Sequence, residues 1–153
     1  MTQKGLTPKG PEGSDPVWFS MNSITLPACA KVNLHLSILG KRPDGYHELL
    51  TLFERVDLAD ELCVERAGPA GGLEFFCEAA GVPSDATNLA VRAAQRYREA
   101  SGWDDGLRIR LDKKIPAGGG LGGGSSDAAV VLLALQQLSG KALAPERLME
   151  CAR

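Results

Sequence analysis

Between positions 115 and 129 the chain reads Ile-Pro-Ala-Gly-Gly-Gly-Leu-Gly-Gly-Gly-Ser-Ser-Asp-Ala-Ala, with Gly118, Gly119, Gly120, Gly122, Gly123 and Gly124 set around Leu121. Ordering so many glycines carries a large conformational entropy cost, which predicts a bound group that offsets it. Successive glycine N–H groups with a helix start behind them make a cradle for phosphate oxygens. Pro116 fixes the chain ahead of the loop, Ala117 leads into the glycines, and Leu121 plugs the loop into the core. Ser125 and Ser126 bring hydroxyl and N–H groups to the helix start, suited to phosphate oxygens or to water on Mg²⁺. A flexible linker with a serine cap would require neither the leucine nor a buried helix directly after it.

Two other phosphate loops do not fit. Gly118, Gly120 and Gly123 match G-x-G-x-x-G, but inside a glycine run that match carries little information. The dinucleotide fingerprint also needs a buried parallel strand before it and an acidic strand end about 20 residues later. Here the preceding strand is amphipathic and the region near Leu143 reads as a connection between helices. The Walker loop places a lysine before its Ser/Thr, whereas Ser125 follows Gly123-Gly124.

A second group of polar residues lies in the N-terminal half. Lys31 and Asn33 are two apart on a predicted strand, so they share a face on which an ammonium and a carboxamide can meet an anionic substrate. The alternation places His35 on that face too, without a specific role. Tyr46 and His47 follow the turn Pro43-Asp44-Gly45, where an aromatic ring and an imidazole can hold a planar base.

The elements that must position these groups follow from periodicity. Strands are predicted over 23–28 and 31–39, the second with Val32, Leu34, Leu36 and Ile38 on a buried face. Two more, 49–58 and 61–66, join near Ala59-Asp60, and another covers 73–78. Thr87-Asn88 caps a helix running to Ala100, with Leu89, Ala93, Ala94 and Tyr97 as its buried stripe, ending at Ser101-Gly102. A one-sided strand covers 107–111. After the glycine loop comes a helix over 125–138, apolar nearly all round and so buried, which Gly140 ends; a further helix begins at Pro145. Strands first and helices later predict an α+β domain with a mostly one-faced sheet.

Composition sets the outer bounds. A chain of 153 residues, 44% hydrophobic and 24% charged, has room for one ordinary domain or for one and a fragment. A formal net charge of −2 gives no electrostatic case for nucleic acid or an anionic membrane. No apolar run approaches the roughly 20 residues of a membrane span. Cys29, Cys63, Cys77 and Cys151 lack metal-ligand spacing and read as buried thiols of a reducing cytosol. Residues 1–22 mix Pro, Gly and charge without a hydrophobic signal region and read as a disordered tail.

The loop followed by a buried helix resembles the nucleotide-binding motif of the GHMP small-molecule kinase superfamily. With the N-terminal motifs added, the chain from about Leu26 onward resembles the 4-diphosphocytidyl-2-C-methyl-D-erythritol kinase family. Cys29-Ala30-Lys31-Val32-Asn33-Leu34 matches its Pro-Ala-Lys-x-Asn-Leu, with Cys29 in place of the proline, and Arg42-Pro43-Asp44-Gly45-Tyr46-His47 matches its Arg-x-Asp-Gly-Tyr-His. The run Gly118–Ala129 is the family's loop without a break.

The resemblance implies an α+β domain of the ribosomal protein S5 domain 2-like type, a mostly antiparallel sheet with helices on one face. It implies transfer of the ATP γ-phosphoryl, with Mg²⁺, to the 2-hydroxyl of a cytidine diphosphate methylerythritol substrate, in the cytoplasm. Lys31 becomes the active-site lysine, Asn33, Tyr46 and His47 substrate contacts, the last two around cytosine. Residues 116–126 wrap the ATP phosphates and Asn88 lies near adenine, while Asp127 compensates the helix dipole. The family's second catalytic residue is an aspartate in Gly-Ala-Asp-Val-Pro, a segment not found here. Residues 23–153 are therefore expected to be a truncated N-terminal ATP-binding domain with the C-terminal domain absent and with little kinase activity alone. The alternatives are a non-catalytic ATP-binding module and another GHMP small-molecule kinase.

Overall fold

The computed structural model describes residues 18–19 and 22–153. Among these residues five strands and three helices follow in the order β1 (Trp18–Phe19), β2 (Ser23–Lys41), β3 (His47–Arg66), β4 (Leu73–Phe76), α1 (Leu89–Ser101), β5 (Leu107–Asp112), α2 (Gly123–Ser139) and α3 (Pro145–Cys151). The sheet order is β1-β2-β3-β5-β4. Every neighbouring pair is antiparallel except β4 with β5. This is the predicted α+β, mostly antiparallel domain. Most of the tail expected over 1–22 lies outside the described residues; within it, Trp18–Phe19 pair with Ile24 and Thr25.

The core forms where α1 and α2 cover one face of the sheet. Leu107, Ile109 and Leu111 alternate inward on β5, meeting Leu62 and Val64 of β3 and Ile24 and Ala28 of β2. The helices answer with Ala90, Ala93, Ala94 and Tyr97 from α1, and Ala128, Val131, Leu132 and Leu135 from α2. Alanines on both helices let them approach the sheet and each other. The Tyr97 hydroxyl, carried into this core, hydrogen-bonds Ser139 Oγ at 2.7 Å and the Lys141 carbonyl at 2.6 Å.

Helix boundaries follow local signals. Asn88 caps α1 by accepting the Ala90 N–H at 2.9 Å, and left-handed Gly102 and Gly140 end α1 and α2. The α1 stripe is Ala90, Val91, Ala93, Ala94 and Tyr97, with Leu89 only half-buried. Helix α2 is not buried all round, because Ala129, Leu133 and Gln137 form an exposed stripe at four-residue spacing.

Four expectations need correction. The two strands predicted over 23–39 are one strand, β2, and the two over 49–66 are one strand, β3. Register shifts after Cys29, Asn33 and Ile38 let β2 continue through what reads as an interruption. In β3, Asp60 reads as a turn residue but is buried within the strand, because its carboxylate accepts the N–H groups of Lys114 and Ile115 at 2.6 and 2.7 Å. The third correction concerns burial: Leu34, Leu36 and Ile38 are 63%, 53% and 66% exposed, on a two-stranded ribbon reaching past the helices. The fourth concerns the thiols. Only Cys151 is buried, the other three cysteines being half-buried, and all four are free.

Candidate functional site

The glycine loop runs from the end of β5 to the start of α2. Gly118, Gly120 and Gly122 take φ of 76°, 71° and 74°, the left-handed region that favours glycine. At Gly122 space is limiting as well, since a Cβ would stand 3.2 Å from Lys31 Cγ and 3.3 Å from Lys31 Cε. No side chain caps α2, so its first-turn N–H groups, which lack intrahelical acceptors, lie at the loop end of the helix with the positive end of its dipole. A cleft of about 320 Å³ lies here, lined by residues 116–125, by Thr87, Asn88 and Leu89, by Gly81–Pro83, and by Lys113 and Asp127. Ser126, the last of the predicted loop contacts, is not in that lining; its N–H donates to the Gly122 carbonyl at 2.9 Å.

Lys31 joins the two sequence motifs. Its backbone N–H donates to the Leu121 carbonyl at 2.9 Å, and its Nζ donates to the Gly120 carbonyl at 2.8 Å and to Asn33 Oδ1 at 2.6 Å. Asn33 Nδ2 in turn donates to Thr51 Oγ1 at 2.7 Å, and Thr51 donates to the His35 carbonyl at 2.9 Å. The chain of donors fixes the Asn33 amide with its oxygen toward the ammonium. Thr51 was not singled out from sequence, and a lone threonine on a strand gives no signal that would single it out.

His35 does not share the face of Lys31 and Asn33. Asn33 pairs with Phe53 and His35 with Leu52, so the register shift between them turns His35 to the opposite side, where its Nε2 meets Ser37 Oγ at 2.9 Å. Tyr46 and His47 sit at the tip of the β2–β3 ribbon, with Tyr46 73% exposed. The pairs from Lys31–Arg55 to Lys41–His47 separate that tip from Lys31 by up to about 30 Å of strand at ~3.3 Å per residue. The structure thus brings Lys31, Asn33 and the loop together and leaves Tyr46 and His47 apart from them. Asn88 lines the cleft with both ends of its amide engaged, Oδ1 on Ala90 and Nδ2 donating to the Pro83 carbonyl at 2.8 Å.

Three charged groups lie together beneath the loop, an association that the sequence does not signal. Lys113 Nζ lies 2.5 Å from Asp60 Oδ2 and 2.8 Å from Asp127 Oδ2. Asp127, expected in the first turn as a helix-dipole compensator, lies beyond that turn and is instead a buried partner of Lys113. Burial pushes its carboxyl up to about 6 despite the Lys113 hydrogen bond, and its Oδ1 has no hydrogen-bond partner among the described residues. Burial works to raise Asp60 as well, but the N–H groups of Ile115 and Lys114 and the Lys113 ammonium hold it below the ordinary carboxylate value. Burial would lower Lys113, and its hydrogen bonds to Asp127 and Asp60 instead hold it above the ordinary amine value. Lys113 and Asp60 are far apart in sequence, and neither belongs to a recognisable spacing.

Among the described residues no helix is long and apolar enough to cross a membrane, and no group of three or more His, Cys, Asp or Glu is placed to hold a metal ion.

Comparison with known proteins adds the lineage. The family model described as GHMP kinases N terminal domain matches residues 88–153, from the α1 cap past the loop through α3. The 4-diphosphocytidyl-2-C-methyl-D-erythritol kinase of Pseudomonas aeruginosa (strain LESB58) is 57% identical over 115 residues, covering 75% of this chain and 40% of that protein. That of Geobacter sp. (strain M21) is 49% identical over 130 residues, 85% of this chain and 46% of the relative. The chain thus spans less than half the length of these curated relatives. A crystal structure of 4-(cytidine 5'-diphospho)-2C-methyl-D-erythritol kinase superposes with a TM-score of 0.70 at 49% identity, over 84% of this chain and 46% of that one. A homoserine kinase from Cytophaga hutchinsonii shares the fold at a TM-score of 0.66 and 24% identity, over 90% and 42%. Residues 88–153 are thus similar to the N-terminal domain of GHMP kinases, and the chain as a whole is similar to the 4-diphosphocytidyl-2-C-methyl-D-erythritol kinases.

Proposed function

We propose that these residues form the ATP-binding part of a kinase that phosphorylates the 2-hydroxyl of 4-diphosphocytidyl-2-C-methyl-D-erythritol. The observation that carries the reading is the junction of Lys31 with the glycine loop at Gly120, Leu121 and Gly122, which sets an ammonium beside a phosphate-shaped cradle. The chemistry of the cleft supports a nucleotide. Its wall is backbone without Cβ atoms at the loop, an uncapped helix start supplies N–H groups, and the Asn88–Leu89 end offers room for a base. ATP supplies the phosphoryl group; Mg²⁺ would come with the phosphates, and Ser125, which lines the cleft, would offer it a hydroxyl directly or through water.

The chain's own residues then do three things. The loop amides neutralise and orient the phosphates, which is most of what phosphoryl transfer asks of a protein. Lys31 has three N–H donors, of which Asn33 Oδ1 and the Gly120 carbonyl take two, so one remains for the acceptor hydroxyl or a transferring oxygen. Asn33 takes the substrate beside Lys31; for Tyr46 and His47 to take its base, the β2–β3 ribbon has to bend its tip back toward the loop, from which it stands apart in this structure. Among the described residues Lys31 has no carboxylate within ion-pair distance to accept the hydroxyl proton. In this reading the 153 residues bind ATP far better than they turn it over.

Calorimetric titration of the chain with Mg–ATP, alongside a phosphorylation assay with the methylerythritol substrate, tests both halves. We expect saturable binding with little turnover, and Gly122→Val to weaken binding by more than about tenfold because it strains the left-handed position and displaces Lys31. Absence of ATP binding to the wild-type chain would remove the nucleotide reading, and full turnover by this chain alone would remove the claim that it mainly binds.

A further inference from the structure

Asp60, Lys113 and Asp127 have no role in the function proposed above, yet Lys113 and Asp127 line its cleft and Asp60 is buried behind them. Asp60 Oδ1 accepts the N–H groups of Lys114 and Ile115, the two residues that lead into Pro116, so this carboxylate clamps the loop's entry. Asp127 stands one turn into α2, at the loop's exit. The Lys113 ammonium bridges the two through their Oδ2 atoms. It also lies directly beneath the first residue of α2: a Cβ on Gly123 would come within 2.9 Å of Lys113 Nζ and 3.0 Å of Ile115 Cγ2. Entry strand, loop and exit helix are thus held at one point, to which β3 contributes the fixed end.

We propose that Lys113 is a positioning residue of the glycine loop, tying its entry through Asp60 to its exit through Asp127 and so fixing the span across which the loop amides face a phosphate chain. The phosphate part of this rests on the nucleotide reading of the cleft; the fixing of the loop does not. A purely structural role accounts poorly for the arrangement. Buried ion pairs are weak sources of stability compared with apolar packing of the same volume, and this one leaves Asp127 Oδ1 without a partner. What the trio supplies that apolar side chains could not is direction, because hydrogen bonds from one ammonium fix two elements in relative position. Preorganisation of this kind matters at a loop whose six glycines would otherwise sample many shapes.

The test compares the wild-type chain with Lys113→Met, and with Lys113→Met/Asp127→Asn, which removes the carboxylate charge left without its partner. Amide hydrogen exchange without ligand is read for the 117–126 segment and for β3 and β5, and affinities are measured for ATP and for adenosine, which lacks phosphates. We expect loop amides to exchange about tenfold faster with strand amides within about twofold, and ATP affinity to fall about tenfold with adenosine affinity unchanged. Unchanged loop exchange, a rise shared equally by the strands, or equal losses of ATP and adenosine binding would overturn the proposal. So would collapse of both variants, which would assign the trio to the core. A wild-type chain that binds no ATP refutes the nucleotide reading instead, and loop exchange then decides the positioning role by itself.

Discussion

Asp60 and Asp127 bond the same ammonium and titrate in opposite directions, and the difference lies in the count of donors. Asp60 collects two backbone N–H groups and Lys113, while Asp127 has Lys113 alone and a buried oxygen with no partner. For Asp127 the folded value, about 6, exceeds the ordinary 3.8, so the folded chain retains a proton that the unfolded chain releases. Its contribution to stability is complete below about pH 4 and is lost as pH rises to about 6, a swing of roughly 3 kcal/mol at ~1.4 kcal/mol per unit. Asp60, being lowered, contributes above about pH 4 and loses that contribution on acidification. Asp127→Asn should therefore remove the first dependence and leave the second. Calorimetric melting at about pH 4, 5, 6 and 7 is expected to show the wild type losing ground to the variant between pH 4 and 6; a constant difference across that range would contradict the assignment.

Helix α1 shows how one residue can set an element and a cleft wall together. Asn88 Oδ1 caps the helix through the Ala90 N–H, and its Nδ2 holds the Pro83 carbonyl of the segment opposite. Asn88→Ala loses both, at a cost of about 2 kcal/mol, about half of it from the cap. Asn88→Asp keeps the acceptor and adds a charge suited to a helix N-terminus, so urea titration should return most of the cap's share and none of the Pro83 bond. Equal destabilisation by the two variants would place Asn88's contribution in the Pro83 contact alone. The strands depend on other forces. Both β2 and β3 run through positions that locally read as breaks, held by register shifts and by the partners of Asp60.

At the scale of the molecule, the sheet has two regimes. Near the helices it is covered and alternates cleanly. Beyond Asn33 and before Val56 it is a bare ribbon whose faces both carry large apolar side chains, among them Leu36, Leu50, Leu52 and Phe53. An apolar surface of this extent is unusual on an isolated domain. Because these side chains are exposed, they contribute little to folding. Replacing Leu50 and Leu52, 58% and 60% exposed, by serine is expected to shift stability by no more than about 0.5 kcal/mol per site and to reduce binding of a hydrophobic fluorescent dye. A loss of several kcal/mol would show that the ribbon is packed and not bare.

The sequence by itself determined what depends on neighbours along the chain. The cap of α1, the glycines that end α1 and α2, the turn at Pro43-Asp44-Gly45 and the mismatch of the glycine loop with dinucleotide and Walker patterns all rest on contiguous residues whose φ preferences, caps and periodicity act locally. The tertiary structure decided what depends on residues far apart. The shift after Asn33 turned His35 away from Lys31, because a slip of one residue exchanges the faces of a strand. Alternation from Val32 to Ile38 predicted burial, but alternation gives two faces without saying that anything covers either. The Lys113 trio was out of reach for the same reason: a lysine and two aspartates from three elements become one site only when β3, the end of β5 and α2 are packed together, and then desolvation, absent from any sequence, sets how each titrates.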